Sequence, residues 1–395
     1  MAAPKNRRTV EGDFSIAAGG PYYQALQRLR GFRDWHKYGQ AAFWAALTWL
    51  PLFILSLAQG TAWGNQVRIP LLSDPSVFAR FFVALPLLVS AEVVIGLFTH
   101  HAISIFNSSG VISGEDIPVF RAALDRVARL RDSGTAEILM AVLACIPFYL
   151  LFADYEWGAK GASSWHGTTF QGLSPAGWWF TCVSSPLLRF FMLRWLWRYA
   201  LWCYLLGKIR QLNLVLFPMH PDRLGGLGFL LYSQQQFGLI ATAMSSVIAG
   251  QFANEIVHFG QTFNGIRAAA ALFIGISLCV VLGPLTFFSF KLFSARYDGM
   301  RRNNAVARRV IGRFDLKWVR RIGQPPEAMI GTQDSSSLID YISACDVIRE
   351  TRVIPITKRA VLHVSVLAAL PFASLWLLNK PLESLIAEIL KKLLE

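Results

Sequence analysis

The residues of this 395-residue chain best placed to do chemistry are the charges that interrupt otherwise apolar sequence. Glu92 sits inside the apolar run 77–99, two turns before His100-His101. Arg189, Arg194 and Arg198 sit inside the run 177–206. A charge in hydrocarbon is costly, so such groups pair, face a wet cavity or change protonation state. Glu92 is therefore expected either to be protonated, in a proton-coupling or gating role, or to pair with Arg189 or Arg194. The arginine spacings of five and four do not match the every-third-residue pattern of a voltage sensor. Arg194 and Arg198 share a helical face and are expected to snorkel to the interface. Arg189 lies deeper, as a structural ion pair or as an attractor of anions.

A second pattern runs through the fifth apolar stretch, where every fourth residue is small or polar: Gln234, Gly238, Thr242, Ser246, Gly250, Asn254 and His258. Small residues at this spacing let helices approach closely, and a polar stripe can also line a path or gate. A strict four-residue row winds around the helix, so it cannot all face one straight pore. Glu255-x-x-His258 has the spacing of di-iron bundles, but those need a second such pair and further carboxylates. No metal site is expected. The string His220-Pro221-Asp222-Arg223-Leu224-Gly225-Gly226-Leu227-Gly228 reads as a helix stop and a glycine-eased restart. The competing reading makes His220, Asp222 and Arg223 a ligand or gate loop. No catalytic triad elbow, zinc-protease motif or phosphate loop is present, so no catalytic residue and no cofactor is expected.

The elements that must position these residues are membrane helices. Seven apolar stretches, near 41–59, 77–99, 136–153, 177–206, 228–253, 267–292 and 360–378, each approach the ~20 residues that cross a bilayer. Apolar residues make up 54% of the chain and charged residues 16%, which excludes an ordinary soluble domain. The fold class is thus an all-α polytopic bundle of about seven spans with a small cytoplasmic helical layer. The 37 residues from Trp178 to Leu214 are too long for one simple crossing. No internal repeat is legible. Residues 20–38 read as a basic interfacial helix, 99–135 as a loop with one helix capped by Asp116, and 294–359 as a basic hairpin broken near Gly323–Pro326. The end, 381–395, reads as an amphipathic helix.

The net charge of +14 is distributed unevenly. Seven Lys/Arg precede Gln40, four lie in 99–135, three in 208–225 and thirteen in 294–359, whereas the alternate loops hold only Arg68 and Lys160. The positive-inside rule then places the N-terminus in the cytoplasm. The basic residues flank the spans, which suits the lipid bilayer and its anionic headgroups as partners and argues against nucleic acid. The five cysteines form no Cys-x-x-Cys pair and suggest no disulfide framework.

The strings HPDRLGGLGFL from His220, GTQDSSSLIDY at 331–341 and KPLESL at 380–385 resemble a set of uncharacterised bacterial multi-pass proteins. The resemblance implies an inner-membrane location and supplies no substrate. Taken together, the sequence favours passage of a small solute or ion, with a homo-oligomer as a natural assembly. Glu92, Arg189, Arg194, Gln234, Thr242, Ser246, Asn254 and His258 would line or gate the path. The alternatives are a membrane-anchored signalling or scaffold protein, whose hairpin binds a partner, and a membrane enzyme acting on lipid. A path requires a polar cavity at Thr242 and Ser246, whereas a scaffold leaves them packed.

Overall fold

The computed structural model describes residues 14–28, 37–146, 163–168, 172–320 and 333–378. Those residues are almost entirely helical, with one two-stranded ribbon, Gly167–Thr168 with Gly172–Leu173. The helices are α1 (Pro21–Arg28), α2 (Lys37–Ala58), α3 (Pro75–Ser108), α4 (Ile117–Arg131), α5 (Gly134–Cys145), α6 (Pro175–Ile209), α7 (Gly228–Phe259), α8 (Phe263–Val319), α9 (Gln333–Glu350) and α10 (Lys358–Leu378). Five of them (α2, α3, α7, α8 and α10) are long and apolar enough to cross a membrane. This is an integral membrane protein of the helical class. Helix α6 is long enough too, but its composition is broken by three arginines. The part of 20–38 beyond Arg28, the 323–326 break and the 381–395 segment lie wholly or largely outside the described residues.

Proline positions explain the irregular turns. Proline lacks an N–H and crowds the carbonyl four residues back. Helix α3 contains a π-helical turn, 79–84, just before Pro86, and α6 contains one, 180–184, just before Pro186. Each turn absorbs the disturbed register without ending the helix. Helix α8 carries a 3₁₀ piece, Gly283–Phe288, around Pro284 and then continues as one 57-residue rod, ~85 Å long, well past any bilayer. The sixth span and the first hairpin helix are therefore one element.

These turns reveal a local repeat that the sequence conceals. Asp74-Pro75 and Ser174-Pro175 each cap a helix, the acceptor side chain taking Ser76 N or Gly177 N. The π turns follow, then Leu85-Pro86-Leu87-Leu88 and Ser185-Pro186-Leu187-Leu188, one hundred residues apart. The two copies meet, with the Phe81 and Phe180 rings edge-on at 6.2 Å. Few side chains are shared, so only the backbone grammar exposes the match.

Helix α7 packs along α10 and α3, and α8 enters the same group from its first turns. Ala249, Ala253, Ile266, Ala270, Phe372 and Leu375 form that interface. A larger core joins α2, α3, α4 and α6 around Phe81, Leu88, Phe106, Phe120, Trp195 and Trp202. Asp116 does precede α4, but its carboxylate accepts Asn213 N at 2.6 Å instead of capping the helix.

Candidate functional site

Glu92, Arg194 and Arg198 assemble into one buried network. Glu92 Oε1 accepts Arg194 Nη1 at 2.6 Å and Arg198 Nη1 at 2.8 Å. Arg194 and Arg198 lie one turn apart on α6, and both are nearly inaccessible, at 3% and 2% side-chain exposure. They are buried within the protein instead of reaching for water, and one carboxylate pairs with both. Glu92 therefore pairs with Arg194, as one reading of the sequence held, and with Arg198 in place of Arg189. Arg189 instead donates to the carbonyls of Ala144 and Ile146 at 3.1 and 3.0 Å and to Ser185 Oγ at 2.6 Å. It closes the end of α5, where helical carbonyls lack partners.

The chain's own N-terminal segment caps this network. Arg194 also approaches Glu137 at 3.5 Å, donates to Gly19 O at 3.2 Å and stacks on the Tyr22 ring at 4.5 Å. Glu137 Oε2 accepts Tyr22 N at 2.7 Å, and Asp132 Oδ1 accepts Gly20 N at 2.8 Å. Arg131 pairs with Asp132 and donates to Ser15 O. His100 Nδ1 binds Phe14 O at 2.9 Å. Ile16 and Ala17 are fully buried. Three carboxylates thus face three guanidiniums around an inserted peptide. Asp132 lies between spans; burial alone would raise its carboxyl, but Arg131 and the Gly20 N–H hold it below the ordinary range. Arg198 Nη2 is the buried N–H group here that lacks a hydrogen-bond partner.

A second cluster forms where the two repeated helix starts meet. Asp74 is 1% exposed and accepts Ser76 N at 3.0 Å, Ser76 Oγ at 2.6 Å, Trp165 Nε1 at 3.0 Å and Asn254 Nδ2 at 2.6 Å. Ser174 Oγ in turn donates to Trp165 O at 2.7 Å, so one tryptophan ties both caps together. His258 Nε2 donates to Ser73 O at 2.7 Å, and Arg68 donates to His258 O at 2.8 Å. Asn254 and His258 therefore anchor the loop before α3.

Further along the row, Gln234 receives the Trp202 indole N–H at 2.7 Å and donates to Val281 O. Thr242 is 6% exposed and donates to Gly238 O or Leu367 O. Ser246 is 3% exposed and donates to Thr242 O at 2.8 Å. The glycines are contact points: a Cβ on Gly238 would meet Leu367 at 2.9 Å, and one on Gly250 would meet Ala79 at 2.6 Å. The row winds from α10 at one end to the start of α3 at the other, as a four-residue repeat must.

The 220–228 loop is built around Asp222. Its Oδ1 accepts the N–H groups of Leu224 and Gly226 at 2.8 and 3.2 Å, and Oδ2 accepts Gly228 N at 2.8 Å. His220 lies 2.8 Å away. Burial would raise this carboxyl, but the three backbone donors and His220 lower it below the ordinary 3.8. Arg223 adopts a left-handed φ of 56°, followed by Gly225 and Gly226 at 65° and 96°. Arg223 pairs with Glu350 at 2.9 Å and its carbonyl accepts Arg352 N, which latches the loop to the end of α9.

Sequence reasoning missed Arg198 as a partner, Glu137, Asp132, Asp74 and Trp165. Arg198 had a signal, its four-residue spacing from Arg194. Glu137 stood at the edge of an apolar run. Asp74-Pro75 was a legible cap, but its partners come from positions 91 and 180 residues away. Comparison of the chain with known protein families, with curated proteins and with solved structures finds no match.

Proposed function

We propose that this chain is a membrane-anchored platform whose hairpin, the outer part of α8 with α9, docks a partner protein. The observation that carries the reading is the set of large apolar side chains exposed beyond the span. Val306, Ile311, Leu316 and Val319 on α8 and Ile339 and Ile342 on α9 are each 45–63% exposed. In water, large apolar side chains left this exposed are the kind of surface a partner covers. The segment 289–320, the outer part of α8 and the residue after it, carries nine Lys/Arg against two Asp. That balance suits an acidic partner and disfavours a second copy, which would bring like charges together. The positive-inside rule puts this hairpin in the cytoplasm. The close packing of Gly238 and Thr242 against α10 and of Gly250 against α3 supports an anchoring role for α7.

A second reading, passage of a small solute or ion, is favoured by the paired irregular starts of α3 and α6 at the Asp74 cluster, since π turns concentrate at functional sites. Two measurements separate them. A photo-crosslinking residue at Ile311 or Leu316 is expected to give discrete protein adducts in cells, and one at the lipid-facing candidate Leu272 none. Purified protein in liposomes is expected to pass no ion or solute. Flux that follows a gradient and changes in Thr242→Leu and Ser246→Leu, without hairpin adducts, overturns the platform reading.

A further inference from the structure

The segment Phe14–Gly20 lies along α3 without helix or strand of its own. It meets one side of α3 at four-residue steps. His100 binds the Phe14 carbonyl, Gly96 lies beside Ala17, and Glu92 holds the arginine that donates to Gly19 O. Gly96 makes the room: a Cβ there would meet Ala17 Cβ at 3.2 Å and Ser15 Oγ at 3.3 Å. The turn between α4 and α5 closes the other side through Arg131 on Ser15 O and Asp132 on Gly20 N.

Each of these polar ties joins a side chain of the bundle to a main-chain group of the segment. Among the described residues, 14–19 make no backbone-to-backbone hydrogen bond, and the Ala17 and Ala18 N–H groups turn back to Ser15 Oγ at 3.3 and 3.2 Å. Removing the segment therefore breaks no helix and no sheet. It also strands no charge. Residues 14–20 carry none, while Arg131 keeps Asp132, and Arg194 and Arg198 keep Glu92. Gly19 and Gly20 join the segment to α1 at φ 136° and 94°, a pair of residues free to rotate between backbone states. Helix α1 has its own anchor, Tyr22 N on Glu137. Against release stand three buried apolar side chains, Phe14, Ile16 and Ala17.

We infer that residues 14–20 are a releasable strap. It swings out about the Gly19-Gly20 pair while α1 and the bundle stay folded, and its departure opens the groove along Glu92, Gly96 and His100 to water. The device is local, so it is independent of what the hairpin docks. Such sub-global openings are a general property of segments held by few buried contacts.

The test is hydrogen exchange of the full-length protein in micelles, read by mass spectrometry and corrected for intrinsic rates. The reporters are the amides of Ala17, Ala18 and Gly20, each hydrogen-bonded when the strap is closed. The reference is the 88–99 stretch of α3. The strap is expected to exchange at least about tenfold faster than the reference. Arg131→Gln should speed it about a further tenfold, in keeping with loss of one charge-assisted hydrogen bond, and leave the reference unchanged. Gly96→Leu, whose side chain takes the place of Ala17, should bring the strap to the intrinsic rate. Arg126→Gln, an exposed charge on the same helix as Arg131, should alter neither. Equal protection of strap and reference in the wild type, or equal acceleration of both in Arg131→Gln, would make the segment a fixed part of the core and overturn the strap. Acceleration in Arg126→Gln matching that in Arg131→Gln would trace the effect to general charge and overturn it too.

Discussion

Replacing Glu92 by Gln tests whether the intramembrane charges are a structural network. The substitution keeps the shape and one acceptor oxygen but removes the charge that Arg194 and Arg198 share at 2.6 and 2.8 Å. Arg194 retains Glu137 at 3.5 Å and the Gly19 carbonyl, whereas Arg198 already has one unpartnered N–H group. Both guanidiniums are nearly inaccessible, so water cannot take over. Removing one partner of a buried pair costs about 3–5 kcal/mol, and Gln belongs at the lower end because it still accepts a hydrogen bond. The melting temperature in micelles, followed by tryptophan fluorescence, should fall by roughly 5 °C. Trypsin should also cut faster at Arg28, because Arg194 holds Gly19 and Tyr22 in place. The double variant Glu92→Gln/Arg198→Met restores charge balance with an apolar side chain of similar length, and should regain stability relative to the sum of the single changes. A melting temperature within about a degree of wild type, unchanged proteolysis and additive double-variant energies would refute the network.

Other consequences follow from the same contacts. Gly250→Ala places a Cβ 2.6 Å from Ala79 and 3.0 Å from the Ser76 backbone, and should cost about 1–3 kcal/mol in an unfolding titration. Gly275→Ala, with open space around it, should be neutral or slightly stabilising in the same experiment. Trp165→Phe removes an indole donor from buried Asp74 and should cost about 1–3 kcal/mol, read as earlier melting. The Asp222 loop should be protected above the ordinary carboxylate range and loosen as pH falls through its lowered native value, because only the ionised form accepts all three N–H groups. Hydrogen exchange at Gly226 and Gly228 should accelerate below pH 3.8 in wild type, and be fast and pH-insensitive beyond the intrinsic rate in Asp222→Ala.

The class of this protein was legible because it depends on local quantities. Runs of apolar residues long enough for a bilayer need no knowledge of partners, and five emerge as helices of that length and composition. Local stereochemistry was equally readable: Pro118 opens α4, the glycines after Asp222 take left-handed turns, and Gly238 and Gly250 stand where helices touch. Partner choice was not readable. Glu92 could meet any arginine at its depth, and only the packing of α3 on α6 selects Arg194 and Arg198 over Arg189. The expectation that these arginines snorkel assumed lipid around them, but folding supplied a carboxylate and an inserted N-terminal peptide. The repeat at 74–88 and 174–188 escaped notice because it is held by caps and prolines, which set backbone geometry, and not by shared side chains. A sequence records what each segment can do alone with water or lipid. Which distant polar groups neutralise one another, as Trp165 and Asn254 do for Asp74, is decided only when the chain closes loops of 91 and 180 residues and excludes the solvent.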